Sequence, residues 1–309
     1  MKDKVILDVD TGIDDAIGII LAVKSQKFDI LGITTVNGNV SLDTATSNTC
    51  KILDFLGVDD IPVIKGASNP ILRNPFFEHR IHGADGLGGA LKNAPIKNQI
   101  SDGFAPDFII NSILSFPGEV TLILTGPLTN LALAVKKCPQ ITKHVKEVIF
   151  MGGVVKGVGN VTPTAEFNTY VDPEAAKIVL HAGFQTLIQV GLDITRKALL
   201  TKEHIELLHD KRLAQYISES TSDYQQKYFA RYGVHACAMH DPLAVGIAIQ
   251  RNLATMVKHY VDVETKSELC DGQLVCDFQN RLNKQANLHV CLEIEVETFF
   301  NLFVRILNS

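Results

Sequence analysis

Residues 8 to 16 read DVDTGIDDA and place four carboxylates, Asp8, Asp10, Asp14 and Asp15, directly after the apolar run Val5-Ile6-Leu7. Two unit charges about 4 Å apart repel by roughly 4 kcal/mol at an effective dielectric near 20, so such crowding has to be offset. A proton shared within a pair neutralises one acid, a metal ion draws several together, and side chains can diverge into water. Helix capping accounts for Asp14 and Asp15, because carboxylates suit the positive end of a helix dipole and its free N–H groups. It does not account for Asp10, which stands at the end of an expected strand. An EF-hand is excluded, since Gly12 falls one place early and Ile19 stands where the bidentate Glu belongs.

Further groups with chemical potential lie downstream. The stretch GNVTPTAEFNTYVDPEAA, 159 to 176, gathers Asn160, Glu166 and Asn168 in one polar loop suited to gripping several hydroxyls. Its Asp172-Pro173-Glu174 reads as a helix N-cap with Pro at the first helical position. His240-Asp241-Pro242-Leu243 also has the form of a helix start, with Asp241 as the cap, but it sets an imidazole that titrates near neutrality beside a potential metal ligand. His82 lies in HRIHGADGLGG, where Gly83, Gly86, Gly88 and Gly89 imply a flexible loop near a ligand.

One resemblance competes for the first motif. Asp8-Val9-Asp10-Thr11-Gly12 is similar to the D-x-D-x-T/V pattern of haloacid dehalogenase phosphatases, and VTLILT ends in Thr125 as that family's second motif would. Asp8 would then attack phosphorus and Asp10 act as the acid. No downstream acidic pair stands ready to hold magnesium, and Asp14 and Asp15 go unexplained.

The elements that must position these residues alternate. VILDVD is followed by DDAIGIILAVKS, ILGITTVNG by SLDTATSNTCKILDFLG, VTLILTG by LTNLALAVKKC, and DPEAAKIVLHAG by QTLIQVGLD, with PVIKG and EVIFMGG as further strands. This predicts βα units: an open, mainly parallel but mixed sheet covered by helices on both faces, with the ligand outside the carboxyl ends of the strands. Those ends supply Asp10, Asn37, Asn39, Thr125, Met151 with Gly152-Gly153, and Asp193. The last third, with a helical stretch from about 201 to 232 and strand-like segments near 257–263 and 288–297, is expected to elaborate the same sheet. No repeat or low-complexity linker divides the chain, so 1–309 is expected to form a single domain.

Composition narrows the classes. Hydrophobic residues at 46% and charged ones at 20% argue against long disordered stretches. A net charge of -5 and a pI near 6.1 leave no basic footprint for nucleic acid. No apolar run approaches the roughly 18 residues of a membrane span, and Met1-Lys2-Asp3-Lys4 leads into a strand rather than a signal-peptide core, so a cytoplasmic protein is expected. The six cysteines, without a C-x-x-C pair, are expected to be free thiols and not a zinc site.

Taken together, DVDTGIDDA, TTVNGN, HGADGLGG, LTGPLTNLA, MGG, GNVTPTAEFN-x-Y-x-DPEAA and HDPLAV resemble, in order and over nearly the whole chain, the nucleoside hydrolase family of the inosine-uridine preferring type. The resemblance implies a calcium-dependent ribonucleoside hydrolase with the nucleoside hydrolase fold. It implies Asp10, Asp15, Asp241 and the backbone carbonyl of Thr125 as calcium ligands, with Asp10 also the general base on a calcium-bound water. Asp14, Asn39 and Asn168 would hold the 2'- and 3'-hydroxyls, Asn160 and Glu166 the 5'-hydroxyl, and Met151 would pack against the sugar. His240 would protonate the leaving base, with His82, Phe167, Tyr224 and Tyr228 in the base pocket; Tyr228 reads equally as a half-buried packing residue. Asp8 is left without a role. The products would be ribose and free base, and a homodimer or homotetramer is expected. A calcium-dependent nucleoside-binding protein without turnover is the non-catalytic alternative.

Overall fold

The computed structural model describes residues 2–309. Nine strands build the main sheet. They are β1 (Asp3–Val9), β2 (Phe28–Thr35), β3 (Val63–Lys65), β4 (Ile100–Ser101), β5 (Val120–Leu124), β6 (Glu147–Met151), β7 (Leu187–Val190), β10 (Ala254–His259) and β13 (Leu288–Ile294). Two small antiparallel ribbons pair β8 (Leu199–Thr201) with β9 (Ala236–Ala238) and β11 (Val261–Val263) with β12 (Leu274–Cys276). The sheet order is β10-β13-β7-β6-β5-β1-β2-β3-β4. Every pairing is parallel except β10 with β13 at one edge. The expected mixed, mainly parallel sheet with helices is therefore the fold.

β1 is central, and its apolar run is continuous because both faces are covered. Side chains alternate between faces along a strand. Val5, Leu7 and Val9 accordingly join one hydrophobic core, which includes Ile17 and Ile20 of the helix Ile13–Lys24, while Ile6 joins the other, with Leu122 and Leu124 of β5. From β1 the chain proceeds outward through β2, β3 and β4, and β5 starts again on the other side of β1 toward β6 and β7. The β1/β5 boundary is thus the point where the winding reverses, and the crevice at the carboxyl ends of such strands is where open α/β sheets bind ligands. Asp10 and Thr125 both lie there, one residue beyond β1 and β5.

The last third departs from the expectation in three places. The stretch 201–232 is two helices, Lys202–Glu206 and Lys211–Tyr232, interrupted where Asp210 accepts from the N–H groups of Arg212 and Leu213 and so caps a new start. The segment 257–263 spans two strands in different sheets, since the chain leaves the main sheet after His259 and β11 pairs only with β12. The segment 288–297 runs past its strand: β13 ends at Ile294, and Val296–Leu307 is a helix that buries Phe299, Phe300, Phe303, Ile306 and Leu307. That spacing is the stripe of a helix packed on one side.

This C-terminal helix packs against the helices Ile13–Lys24 and His240–Ile249, both of which begin at the site. Phe299 is fully buried with its ring against Gly246. Phe299→Ala is expected to cost about 3–5 kcal/mol, the usual loss for a buried phenylalanine, read as a shift in the urea unfolding midpoint; an unchanged midpoint would show that the helix contributes nothing to the fold.

Candidate active site

Asp10, Asp14, Asp15 and Asp241 converge at the carboxyl end of β1, each no more than 4% exposed. Asp10 leaves the strand. Asp14 and Asp15 lie in the first turn of the helix Ile13–Lys24, and Asp241 in the first turn of His240–Ile249, which packs against it. One carboxylate oxygen from each of Asp14, Asp15 and Asp241 falls within 4.8 Å of the others, an arrangement able to hold a metal ion. This tight triad contains Asp14, which the sequence had assigned to the sugar, rather than Asp10.

Donors fix part of this charge. Asn39 N–H donates to Asp10 Oδ2 at 2.6 Å and Asn39 Nδ2 to Asp15 Oδ2 at 3.1 Å. Asp15 Oδ2 also accepts from Gly12 N–H, and its Oδ1 from the Thr125 hydroxyl. Asp10 Oδ1 is buried without a hydrogen-bond partner. Burial and then the Asp15 charge push the Asp10 carboxyl well above the usual range, and push Asp14 up to about 7. Asp241 is raised by burial and then by Asp14. These are the directions expected of crowded acids in a dry site, and a bound cation reverses them.

Asp8 stands apart from this cluster. Its Oδ1 accepts from Thr34 Oγ1 at 2.5 Å and Asn130 Nδ2 at 2.7 Å, and Asn130 also donates to Thr35 O and accepts from Ala67 N–H. Asp8 therefore ties β1 to β2 and to the helix Thr129–Lys137. Burial raises its carboxyl to about 7.

The cavity above the carboxylates encloses about 520 Å³ and is lined by Asp14, Asn39, His82, Thr125, Met151, Asn160, Glu166, Phe167, Asn168, Tyr224, Tyr228, His240 and Asp241. The residues that the sequence assigned to sugar and base are thus brought together, in a volume suited to a small-molecule ligand. Asn168 Nδ2 donates to the carbonyls of Thr125 (2.7 Å) and Met151 (3.2 Å). Glu166 caps the short helix Phe167–Val171: Oε1 accepts from Asn168 N–H, and Oε2 from the N–H groups of Thr169 and Gly153. Burial raises its carboxyl. Asn160 Oδ1 accepts from Phe167 N–H.

His82 is a cap as well. Its Nδ1 accepts from Ile13 N–H at 3.0 Å, and a methyl at Gly12 would overlap the ring. Burial holds its pKa down to about 3. The glycines after it serve turns: Gly83, Gly86, Gly88 and Gly89 all have positive φ, Asp85 Oδ1 accepts from the N–H groups of Leu87 and Gly89, and Asn48 ties the loop down through the Asp85 carbonyl. Backbone geometry explains them. His240 opens its helix with Met239 as the cap, so Asp241 is not the N-cap expected from the sequence. Burial, then Arg196, lowers the His240 pKa to about 4. Tyr224 is buried with its hydroxyl 3.5 Å from His240 Nε2, and Tyr228 is partly buried beside it, with ring centroids 6.3 Å apart.

A family model described as inosine-uridine preferring nucleoside hydrolase matches residues 5–301. The chain belongs to this nucleoside hydrolase family. The inosine-uridine preferring nucleoside hydrolase of Crithidia fasciculata is 36% identical to it over 305 residues, which cover 98% of this chain and 96% of the relative. A pyrimidine-specific ribonucleoside hydrolase of Escherichia coli (strain SE11) is also 36% identical, over 97% of this chain and 96% of its own. Among solved structures, a plant nucleoside hydrolase superposes with a TM-score of 0.92 at 34% identity, covering 100% of both chains. A purine-preferring ribonucleoside hydrolase from Gardnerella vaginalis gives 0.91 at 30%, covering 99% of this chain and 98% of its own. Membership in the nucleoside hydrolase family leaves the phosphatase alternative without support, and Asp8 Oδ1 is in any case engaged by two donors.

Three residues in this nucleoside hydrolase went unassigned from sequence, all on the turn after β7. Asp193 accepts from the N–H groups of Val155 and Lys156, Arg196 donates to the carbonyls of Val158 and Gly159, and Thr195 Oγ1 lies 2.7 Å from His240 Nδ1. Only Asp193 carried a signal, as a carboxylate at a strand end.

Gly38 is where backbone and site meet most closely, because a methyl there would overlap Asp10 Oδ2. Gly38→Ala is expected to displace that carboxylate and weaken divalent-cation affinity by about 10–100-fold, the range for disturbing a group that orients metal ligands. Isothermal titration with circular dichroism as the check on folding measures it; unaltered affinity would place Asp10 outside the cation site.

Proposed function

We propose that this ribonucleoside hydrolase seats the ribose on the floor formed by Asp10, Asp14, Asp15 and Asp241 and the base among His82, Phe167, Tyr224, Tyr228 and His240. Asp10 takes a proton from the attacking water. The observation that supports this reading is Asp10 Oδ1, a buried carboxylate oxygen with no partner in the acidic cluster whose Asp14 and Asp241 line the cavity, while its other oxygen is held by Asn39 N–H. A carboxylate of raised pKa with one oxygen fixed and one free is arranged to accept a proton.

The all-oxygen donor set fits a hard cation such as calcium. Asp10, Asp15, Asp241 and the Thr125 carbonyl would hold it, with Asp14 close enough to join. When bound, the cation supplies charge that offsets the carboxylates and acidifies a coordinated water. The Thr125 carbonyl already accepts from Asn168, but it has two lone pairs and can serve both.

On this reading Asp14, Asn39 and Asn168 orient the 2'- and 3'-hydroxyls. Asn160 and Glu166 receive the 5'-hydroxyl; Glu166 Oε1 accepts one N–H and keeps a lone pair for it. Met151 packs against the sugar. As the water oxygen bonds to the anomeric carbon and gives its proton to Asp10, the carbon–nitrogen bond breaks and its electron pair leaves with the base, which takes the Nε2 proton of a His240 imidazolium and leaves that ring neutral. Contacts that strengthen as the ribose flattens are the ones that raise the rate. The reading also carries one domain over 1–309, assembly as a homodimer or homotetramer, and a cytoplasmic location. In support of the last, all six cysteines are free thiols, which suits a reducing compartment. No described helix is long and apolar enough to cross a membrane.

Two outcomes test the assignments. Asp10→Asn is expected to lower kcat by about 10²–10⁴, as for loss of a general base, with nucleoside binding retained by calorimetry; near-parental release of ribose would move the base elsewhere. 2'-Deoxyribosides are expected to be hydrolysed roughly 10⁴-fold less efficiently than ribosides, since a site built around a hydroxyl rejects its absence. Equal kcat/KM on inosine and 2'-deoxyinosine would remove the ribose clamp.

A further inference from the structure

His240 makes one short side-chain contact. Its Nδ1 lies 2.7 Å from Thr195 Oγ1, whereas Nε2 lies 3.5 Å from the Tyr224 hydroxyl, too far to fix the ring. Thr195 is fully buried, at the end of the turn Leu192–Thr195. Among the described residues no hydrogen bond ties its hydroxyl to a carbonyl or carboxylate, so His240 Nδ1 is the one side-chain partner it has, and a hydroxyl can serve that nitrogen as donor or as acceptor. We propose that Thr195 is a positioning residue that holds the His240 ring by Nδ1 and so keeps Nε2 turned toward the nitrogen of the departing base.

The proposal rests on the reading that His240 acts on the leaving base, and it says why a hydroxyl stands behind the ring. A hydroxyl accepts from Nδ1–H both of the imidazolium and of the neutral ring that is left once Nε2 has given its proton to the base, so the contact is kept through the transfer and Nε2 stays on the cavity side. Without it the buried Nδ1 loses its partner, and the ring is free to rotate. The turn itself does not depend on the Thr195 side chain. Asp193 holds the N–H groups of Val155 and Lys156 at 2.9 and 2.8 Å, and Arg196 holds the carbonyls of Val158 and Gly159 at 2.6 and 2.8 Å. Thr195→Val, nearly the same shape without a donor, therefore removes the contact and leaves the turn in place.

The test compares Thr195→Val, Thr195→Ser and His240→Ala on uridine, inosine and p-nitrophenyl riboside, whose phenolate leaves without a proton. Thr195→Val is expected to lose about tenfold in kcat on the two nucleosides, the scale of one buried hydrogen bond left unmade, and distinctly less on the nitrophenyl riboside. Thr195→Ser should restore the nucleoside rates. The ¹⁵N shift of His240 Nδ1 should show a hydrogen-bonded nitrogen in the parent and lose that signature in Thr195→Val. Equal losses on both substrate classes, parental nucleoside rates, or an unchanged Nδ1 shift in Thr195→Val would overturn the proposal. If His240→Ala itself fails to separate the substrate classes, the role assigned to His240 falls and this proposal with it; a split in His240→Ala but none in Thr195→Val overturns this proposal alone.

Discussion

The mutual repulsion of Asp10, Asp14, Asp15 and Asp241 is the constraint around which the rest is arranged. Each is buried, and in the absence of a cation burial and neighbouring charge raise three of them, Asp10, Asp14 and Asp241, above the usual carboxylate range. A fold tolerates such a cluster only where donors are dense or an opposite charge is expected. Here donors come from three separate elements: Asn39 beyond β2, Gly12 at the helix start and Thr125 beyond β5. The unpartnered oxygen of Asp10 marks where they run out.

The sheet order makes that convergence possible. Because the winding reverses between β1 and β5, the loops after these two strands part in opposite directions and leave a crevice that no crossover fills. The helices Ile13–Lys24 and His240–Ile249 pack against each other and present their starts to it, delivering Asp14 and Asp15 from one and His240 and Asp241 from the other. The C-terminal helix presses on both from behind, so residues far from the pocket set the angle at which the acids meet.

Much of this was legible in the sequence for identifiable reasons. Parallel strands buried on both faces leave continuous apolar runs, so β1, β2, β5 and β6 could be read, and their ends pointed to Asp10, Asn39, Thr125 and Met151. What escaped depends on contacts remote in the chain. Asp8 finds its partners 26 and 122 positions away, and Thr195 meets His240 across 45, with nothing in GLDITRK to announce it. In VETFFNLFVRIL the helical spacing was present, but only its first two residues were read, as the end of the strand-like segment 288–297, and the helix beyond them went unassigned. The glycines of HGADGLGG were visible in the sequence, but that each stands at positive φ was not, because composition does not show backbone geometry.

Asn39 carries a consequence of its own. Its backbone N–H holds Asp10 and its side-chain amide holds Asp15, so one residue from the loop after β2 steadies both the carboxylate assigned to the proton and a carboxylate of the acidic triad. Proton affinity at one acid and cation affinity at the other are therefore not independent dials. A shift of this loop moves both together, and an attempt to retune the enzyme for another metal by altering the neighbourhood of Asn39 would change the strength of its base in the same stroke.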